Sequence, residues 1–356
     1  MATKDAYDTL SEKLGFPGSS RLRTILETVM TPLQARLAEA LPGSVSEVAQ
    51  KTGIPEHDAR KNLEELFRRG AVFPKGDLAK RDYYKFARDI VQFHDATHAT
   101  RELDPQRDQA FFRRWHEFCL KEMYGRLAEA IQAMPSPMFR LVPAYNSIKD
   151  LPDVLPCEDF HELLKAQEQI AVVPCSCRYR TAAVGEPCEH TVETEAWKCL
   201  QFGRGAEYVI NRGSGKKLTT NEAVELCEAI ERDGLLHIWP NSAAMTGVNT
   251  SCQCCRDCCE NYVALDRAGV SIGKSWEKSR YEAQVSDGDA CNGCQDCVER
   301  CYFDAIEMVK VKGKKRLRAS VDPEKCFGCG VCVSGCEPEA LKMRQVRPPA
   351  FIPGAA

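Results

Sequence analysis

The chain has 356 residues, of which 44% are hydrophobic and 28% charged, and its formal net charge is −3. These values are ordinary for folded globular proteins and exclude a disordered, fibrous or collagenous chain. The small net charge provides no general basic field for holding nucleic acid or an anionic membrane, so any such contact must be local. At roughly two to three times the length of a typical domain, the chain is expected to form several compact units.

The sequence has no uninterrupted apolar stretch of about 18 residues, and its N-terminus lacks the apolar core of a signal peptide. We therefore expect a cytoplasmic protein without membrane insertion. In a reducing cytoplasm the 20 cysteines are expected to bind metal or iron–sulfur clusters rather than form disulfides. Their crowding supports this expectation, because only Cys119 lies in the first 150 residues.

Residues 1–90 have the pattern of short helices followed by a hairpin. Ser44 and Gly53 are the expected N-cap and terminal glycine of one helix, and Pro55 opens a second helix that ends near Arg69. A strand is predicted at 71–74. This order resembles the winged helix-turn-helix domains of bacterial regulators, which implies either DNA binding or a packing and partner-docking module.

The composition of the second helix favours the docking module. Its charged side chains are four acidic and four basic, namely Glu56, Asp58, Glu64, Glu65, Arg60, Lys61, Arg68 and Arg69. A helix that reads the major groove usually has a basic excess. DNA binding stays the alternative.

Residues 91–135 predict connecting helices with an aromatic core face. His94 and His98 are four residues apart and share one side of a helix, so they could bind a metal. No motif surrounds them, and we interpret them as surface or capping histidines.

Residues 136–284 predict a cysteine-rich α/β middle domain. Strands are expected at 138–142, 170–173 and 235–239, and helices at 158–167 and 221–232. The second helix begins with a capping-box signature formed by Thr219 and Glu222.

Residues 285–345 contain an internal duplication. Four cysteines at 291, 294, 297 and 301 are repeated 35 positions later at 326, 329, 332 and 336. The same offset relates five further pairs: Gly293 and Gly328, Asp304 and Glu339, Ala305 and Ala340, Ile306 and Leu341, and Met308 and Met343.

The duplicated segment resembles the bacterial two-cluster 4Fe-4S ferredoxins. In that family three closely spaced cysteines bind one cluster, and the fourth ligand comes from the other half. The resemblance implies two ligand sets, one of Cys291, Cys294, Cys297 and Cys336, the other of Cys326, Cys329, Cys332 and Cys301. A zinc ribbon would explain CxxC pairs but not two triplets with a fourth cysteine each. The usual proline after the fourth cysteine is Tyr302 in the first half and is displaced to Pro338 in the second, which affects the reduction potential rather than ligation.

Between the two halves, residues 309–321 alternate like a strand around Gly313 and contain six basic residues. We expect a β-hairpin. Two interpretations stand equally: a solvated edge protected by lysines, and a docking surface for an acidic redox partner.

A second group of cysteines is less regular. Its nine members are Cys175, Cys177, Cys188, Cys199, Cys252, Cys254, Cys255, Cys258 and Cys259. A strand leading into Cys175 would place Cys175 and Cys177 in a loop. Arg178, Arg180 and Arg256 could stabilise thiolates or a reduced cluster. One or two further iron–sulfur clusters are favoured, with structural zinc and redox-active or core thiols as alternatives. Isolated Cys119, Cys157 and Cys227 are interpreted as core.

The whole chain also resembles large ferredoxin-like proteins of anaerobic bacteria, with a winged helix, a CxCR middle domain, a dicluster domain and a short tail at 346–356. The predicted class is therefore α+β and multidomain. No Rossmann or nucleophile motif is present, so we expect an electron-transfer protein serving a redox partner such as a flavin-containing oxidoreductase, rather than a stand-alone enzyme. The alternatives are an iron–sulfur redox sensor that binds DNA and an enzyme with an open iron site in its middle domain.

Overall fold

The computed structural model describes residues 4–100, 103–190 and 196–355. Its mixture of helices with several sheets confirms the α+β multidomain class. The helices are α1 Ala6–Lys13, α2 Ser20–Val29, α3 Pro32–Glu39, α4 Val45–Thr52, α5 Glu56–Arg68, α6 Ile90–His98, α7 Gln109–Phe118, α8 Tyr124–Gln132, α9 Tyr145–Ile148, α10 Phe160–Lys165, α11 Ser176–Ala183, α12 Gly203–Asn211, α13 Thr220–Arg232, α14 Glu260–Arg267, α15 Asp296–Glu299 and α16 Val331–Ser334. Among the described residues, every helix is too short or too polar to cross a membrane.

The strands of the described residues form four sheets. They are β1 Gly43–Ser44, β2 Val72–Lys75, β3 Tyr83–Phe86, β4 Phe139–Val142, β5 Ile170–Pro174, β6 Trp197–Phe202, β7 Lys216–Leu218, β8 Leu236–Pro240, β9 Thr250–Cys254, β10 Trp276–Glu277, β11 Tyr281–Val285, β12 Ile306–Val309, β13 Arg318–Val321 and β14 Leu341–Gln345. The orders are β1-β3-β2, β10-β4-β8-β9-β6-β5-β7, β11-β14 and β12-β13.

The chain divides into two compact units. The first contains residues 1–123, 173–188 and 206–217, and the second contains residues 124–172, 189–205 and 218–356. The middle region, residues 136–284, contributes to both units. The domain boundaries at residues 91, 136 and 285 stay predictions.

The helices of the first unit begin and end where local capping predicts. Ser44 caps α4 and forms a capping box with Glu47, while Gly53 ends the helix with a φ of 69°. Helix α5 starts directly after Pro55. Strand β2 is confirmed, and it pairs with β3 in an antiparallel sheet. The winged-helix fold itself stays a prediction.

The two histidines of α6 differ from their predicted surface position. His94 and His98 are fully buried, with ring centroids 4.0 Å apart and Trp115 beside both. The backbone carbonyl of His94 accepts a hydrogen bond from Nδ1 of His98 at 2.6 Å. Burial holds the pKa of His98 well below its ordinary value, so its imidazole is neutral in this aromatic core.

The core of the second unit packs against its sheet. Phe160 and Leu163 of α10, Cys227 of α13 and Trp239 of β8 lie in one buried cluster. The predicted strands at β4, β5 and β8 and the predicted helices α10 and α13 are confirmed, with ends shifted by one or two residues. The capping box of Thr219 and Glu222 is also present.

The duplicated segment repeats its backbone as well as its sequence. Helices α15 and α16 occupy equivalent positions, and both follow a left-handed residue, Gln295 with a φ of 81° and Gly330 with a φ of 75°. Asp304 and Glu339 share a φ close to 50°. The predicted hairpin is confirmed as β12 and β13, but most of its basic residues lie in the connecting loop rather than in the strands.

Candidate functional site

Two cavities lie in the duplicated segment, and each is lined by four cysteines. The first is lined by Cys301, Cys326, Cys329 and Cys332. The second is lined by Cys291, Cys294, Cys297 and Cys336. Each cavity therefore combines three cysteines from one half with one from the other half, which is the grouping that the ferredoxin resemblance implies.

The chemistry of these thiols fits metal-bound clusters. Burial raises the pKa of Cys329 to about 12. Burial, together with the neighbouring sulfurs of Cys336, Cys294 and Cys291, raises the pKa of Cys297 to about 11. Cysteine binds a metal as the thiolate, and the positive charge of bound iron favours that ionised form.

Backbone N–H groups reach the sulfurs of the first cavity. Ala305 N donates to Cys301 Sγ at 3.3 Å, and Ala283 N donates to Cys326 Sγ at 3.5 Å. Such bonds stabilise negative charge on sulfur and thereby raise the reduction potential of a bound cluster.

Glycine is required between the first two cysteines of each triplet. A Cβ on Gly328 would lie 2.1 Å from the carbonyl oxygen of Tyr281, and a Cβ on Gly293 would lie 2.8 Å from that of Leu317. Both residues also have a φ above 70°. The close approach of a neighbouring chain segment and the left-handed backbone thus exclude any other side chain.

The two cavities differ in what covers them. Phe303 and Phe327 line the first cavity, and their ring centroids lie 4.3 Å apart in a stacked arrangement, with each residue 9% exposed. In the second cavity, Pro338 occupies the position equivalent to Phe303, and Asn292 the position equivalent to Phe327. Cys294 is exposed, whereas its equivalent Cys329 is only partly exposed.

Arg300 supports the first cavity through contacts that the second half does not repeat. Its guanidinium donates to the carbonyl oxygens of Val331 at 3.1 Å and Glu231 at 3.0 Å. The residue 35 positions later is Gly335, and a Cβ there would lie 2.4 Å from Arg300 Nε. The glycine therefore makes room for the arginine.

Tyr302 replaces the proline expected after Cys301. Its hydroxyl donates to the carbonyl oxygen of Gly234 at 2.8 Å, and its side chain is buried. Pro338 lines the second cavity. At this position the chain therefore has a tyrosine that donates a hydrogen bond to Gly234, just after α13, in place of a rigid proline.

Six of the nine irregular cysteines lie in the second unit. Cys254 contacts Cys252 and Cys259, and these sulfur contacts, together with burial, raise its pKa well above its ordinary value. The β6–β9 register pairs Leu200 with Ser251, so one step further it sets Cys199 opposite Cys252. Cys252, Cys254 and Cys259 are thus in contact through Cys254, and the extended register places Cys199 on the neighbouring strand opposite Cys252.

Cys255 and Cys258 form a separate pair beside α14. Their sulfurs are 3.0 Å apart, and a carboxylate oxygen of Asp257 lies within 4.8 Å of both. Arg256, a predicted stabiliser of this group, instead forms a salt bridge with Asp304 at 2.9 Å.

The remaining three irregular cysteines belong to the first unit. Cys175 is the N-cap of α11, and Cys177 lies in the first turn of that helix rather than in the expected loop. Nε of Arg178 donates to Cys188 Sγ at 3.2 Å. Nη1 of Arg180 contacts His116 Nδ1 at 2.9 Å.

The isolated cysteines are buried as expected. Cys119 is fully buried, and Cys157 and Cys227 lie in the core cluster of the second unit. Burial is the main reason that the pKa of Cys227 lies well above its ordinary value. These three thiols are part of hydrophobic packing.

Comparison with known proteins identifies one segment of the chain. Residues 290–340 match the family model of the 4Fe-4S dicluster domain. No curated protein and no solved structure matches the chain significantly. The matched segment contains all eight cysteines of the two cavities, and it supports an iron–sulfur redox role.

Proposed function

We propose that the chain is an electron-transfer protein that relays single electrons through two 4Fe-4S clusters, to or from an oxidoreductase partner. The observation that carries this proposal is the crossed grouping of four cysteines around each cavity within the matched segment. Bound clusters would supply the one-electron chemistry. The chain itself holds the sulfurs, covers one set with aromatic rings and leaves one sulfur of the other set accessible.

The ligand sets follow the cavities. Cys326, Cys329, Cys332 and Cys301 hold one cluster, and Cys291, Cys294, Cys297 and Cys336 hold the other. The backbone donors Ala305 and Ala283 orient and stabilise two sulfurs of the first set. The partner is a redox protein, such as one that contains flavin.

We further propose that the middle region binds metal, as iron–sulfur or as zinc. In the second unit the four-thiol group of Cys199, Cys252, Cys254 and Cys259 has the number of sulfurs that either site requires. In the second unit, Cys255 and Cys258 are further candidate ligands. In the first unit, Cys175, Cys177 and Cys188 are a separate candidate set.

The test is to purify the protein anaerobically and measure iron, acid-labile sulfide and zinc per chain. About 8 irons with matching sulfide are expected from the matched segment alone. A content of about 12 or 16 irons without zinc would indicate that the middle region also binds iron–sulfur clusters and belongs to the electron relay. Zinc in the protein would indicate a structural metal site in that region. Dithionite should reduce the clusters. If no low-potential electron donor reduces them, the electron-transfer proposal is contradicted.

A second candidate function is a cluster-dependent DNA-binding regulator. It is favoured by one observation, the order of α4, α5, β2 and β3 in the first unit. Two arginines near α5 are already paired, Arg60 with Asp82 at 3.0 Å and Arg81 with Glu64 at 2.8 Å. A gel shift with oxidised and reduced protein against genomic fragments separates the two functions, since only the regulator gives salt-sensitive, sequence-selective binding.

A further inference from the structure

The second cavity has one exposed cysteine among its four. Cys294 is exposed, whereas the other seven cysteines of the two cavities are buried or partly buried. The first cavity has the stacked rings of Phe303 and Phe327 on its wall. A partner protein therefore has its closest approach to a predicted cluster ligand at Cys294.

The loop between β12 and β13 is fixed beside this sulfur. Nη1 of Arg316 donates to the carbonyl oxygen of Asn292 at 3.2 Å, and the carbonyl of Leu317 packs against Gly293. Lys314 forms a salt bridge with Asp289. These contacts join the loop to the chain segment that carries Cys291 and Cys294.

Residues 310–318, here called the basic loop, have an unusual charge for this chain. They contain six basic residues and no acidic residue. Removing these six positive charges from the net charge of −3 leaves the rest of the chain at −9. The basic loop also exposes two large apolar side chains, Val311 at 40% and Leu317 at 45%.

We propose that the basic loop is the docking surface for an acidic redox protein, which exchanges electrons with the cluster held by Cys291, Cys294, Cys297 and Cys336. This inference rests on the proposed function. Opposite charges orient the encounter because the loop is positive while the rest of the chain is negative on balance. Val311 and Leu317 provide exposed apolar contact area. With the cluster bound, one electron would pass from it to the redox cofactor of the partner, so the cluster would be oxidised and the partner reduced by one electron, with no bond formed or broken.

The test measures electron transfer from the dithionite-reduced, cluster-loaded protein to two probes, the acidic flavoprotein flavodoxin and the basic protein cytochrome c. Lys310, Lys312 and Lys315 are exposed, and the triple variant K310E/K312E/K315E reverses their charge. We expect its second-order rate constant with flavodoxin to fall at least about tenfold at low salt, and the rate with cytochrome c to rise. The wild-type rate with flavodoxin should fall as salt rises.

The matched control is K61E/K75E/K80E, which makes the same change of net charge at three exposed lysines of the first unit. Its rate with flavodoxin should stay close to that of the wild type. Iron and sulfide content must equal the wild-type values in both variants, which excludes a loss of clusters as the cause.

Three results would overturn the inference in distinguishable ways. If the clusters of the wild type cannot be reduced, the proposed function itself fails. If both triple variants slow flavodoxin equally, the basic loop is not the docking surface. If the loop variant loses binding to fluorescent single-stranded DNA while its flavodoxin rate is unchanged, the loop binds nucleic acid instead.

Discussion

The two halves of the duplicated segment have the same cysteine spacing and the same backbone angles, yet they surround their sulfurs with different side chains. Phe303, Phe327 and Arg300 belong to the first cavity, and the equivalent positions elsewhere in the repeat are Pro338, Asn292 and Gly335. The ligand geometry is common because each cavity needs three sulfurs from one half and one from the other. The residues that cover the cavities can differ between the two halves, because each of them contacts only one cavity. A duplicated frame can therefore carry one protected and one accessible redox site.

The largest expected effect tests whether the halves share their ligands. Cys301→Ala and Cys326→Ala should each remove one cluster, or about four irons per chain, and the double variant should remove no more than one. Combining Cys301→Ala with Cys291→Ala should remove about eight. Iron and sulfide analysis checks this, with Cys227→Ala as the buried control that keeps its iron. Additive loss from Cys301→Ala and Cys326→Ala would show that each half holds its own cluster.

Exchanging Phe327 and Asn292 between the two cavities should make the first cavity more accessible to an iron chelator and the second cavity less accessible. Phe327→Asn opens the first cavity and also removes a ring stack worth about 1 kcal/mol. Asn292→Phe adds apolar cover to the second cavity. We expect an iron chelator to remove iron several times faster from the first variant and more slowly from the second, as measured by the decay of cluster absorbance. Equal rates in both variants and the wild type would mean that the rings do not control access.

The Arg300 contact should behave as a coupled pair with Gly335. Gly335→Ala places a methyl group against Arg300 and breaks its bonds to Val331 and Glu231, so we expect a loss of about 1–3 kcal/mol in the free energy of unfolding. In an Arg300→Ala background the same substitution should cost much less. Urea unfolding of the four proteins in this cycle measures the coupling, and purely additive effects would contradict it.

The smallest effect concerns the acid sensitivity of Glu231, whose backbone carbonyl accepts a hydrogen bond from Arg300. Burial would raise the pKa of Glu231, but hydrogen bonds from His237 and from the backbone of Tyr145 and Asn146 outweigh burial and hold it below its ordinary value of 4.5. A carboxylate with a lowered folded pKa stabilises the protein above the unfolded value, and this stabilisation is lost as the pH falls through the folded value. The urea midpoint of unfolding is measured at pH 7 and below pH 4.5. We expect this midpoint to fall less on acidification for Glu231→Gln than for the wild type.

Glu225→Gln is the control for that comparison because Glu225 is exposed on the same helix. It should keep the acid loss of the wild type. If Glu225→Gln and Glu231→Gln flatten the pH dependence equally, the lowered pKa of Glu231 is not its source.

Much of the local structure was predictable. Ser44 with Glu47 and Thr219 with Glu222 set two helix starts because a capping box joins residues three positions apart. The hairpin around Gly313 was also predictable, although its strands are shorter than the alternating pattern indicated. His94 was assigned wrongly to the surface because its burial depends on aromatic rings from another helix.

The duplicated cysteine spacing is present in the chain at a constant offset, so the amino-acid sequence was enough to indicate two clusters. The folded chain sets which residues cover each cavity, since Phe303 and Phe327 meet across the two halves. It also determines that Cys254 contacts Cys252 and Cys259, and that the basic loop lies beside Asn292 and Gly293. Cysteine spacing and helix capping involve residues that are close together in the sequence, whereas these contacts join residues that only folding brings together.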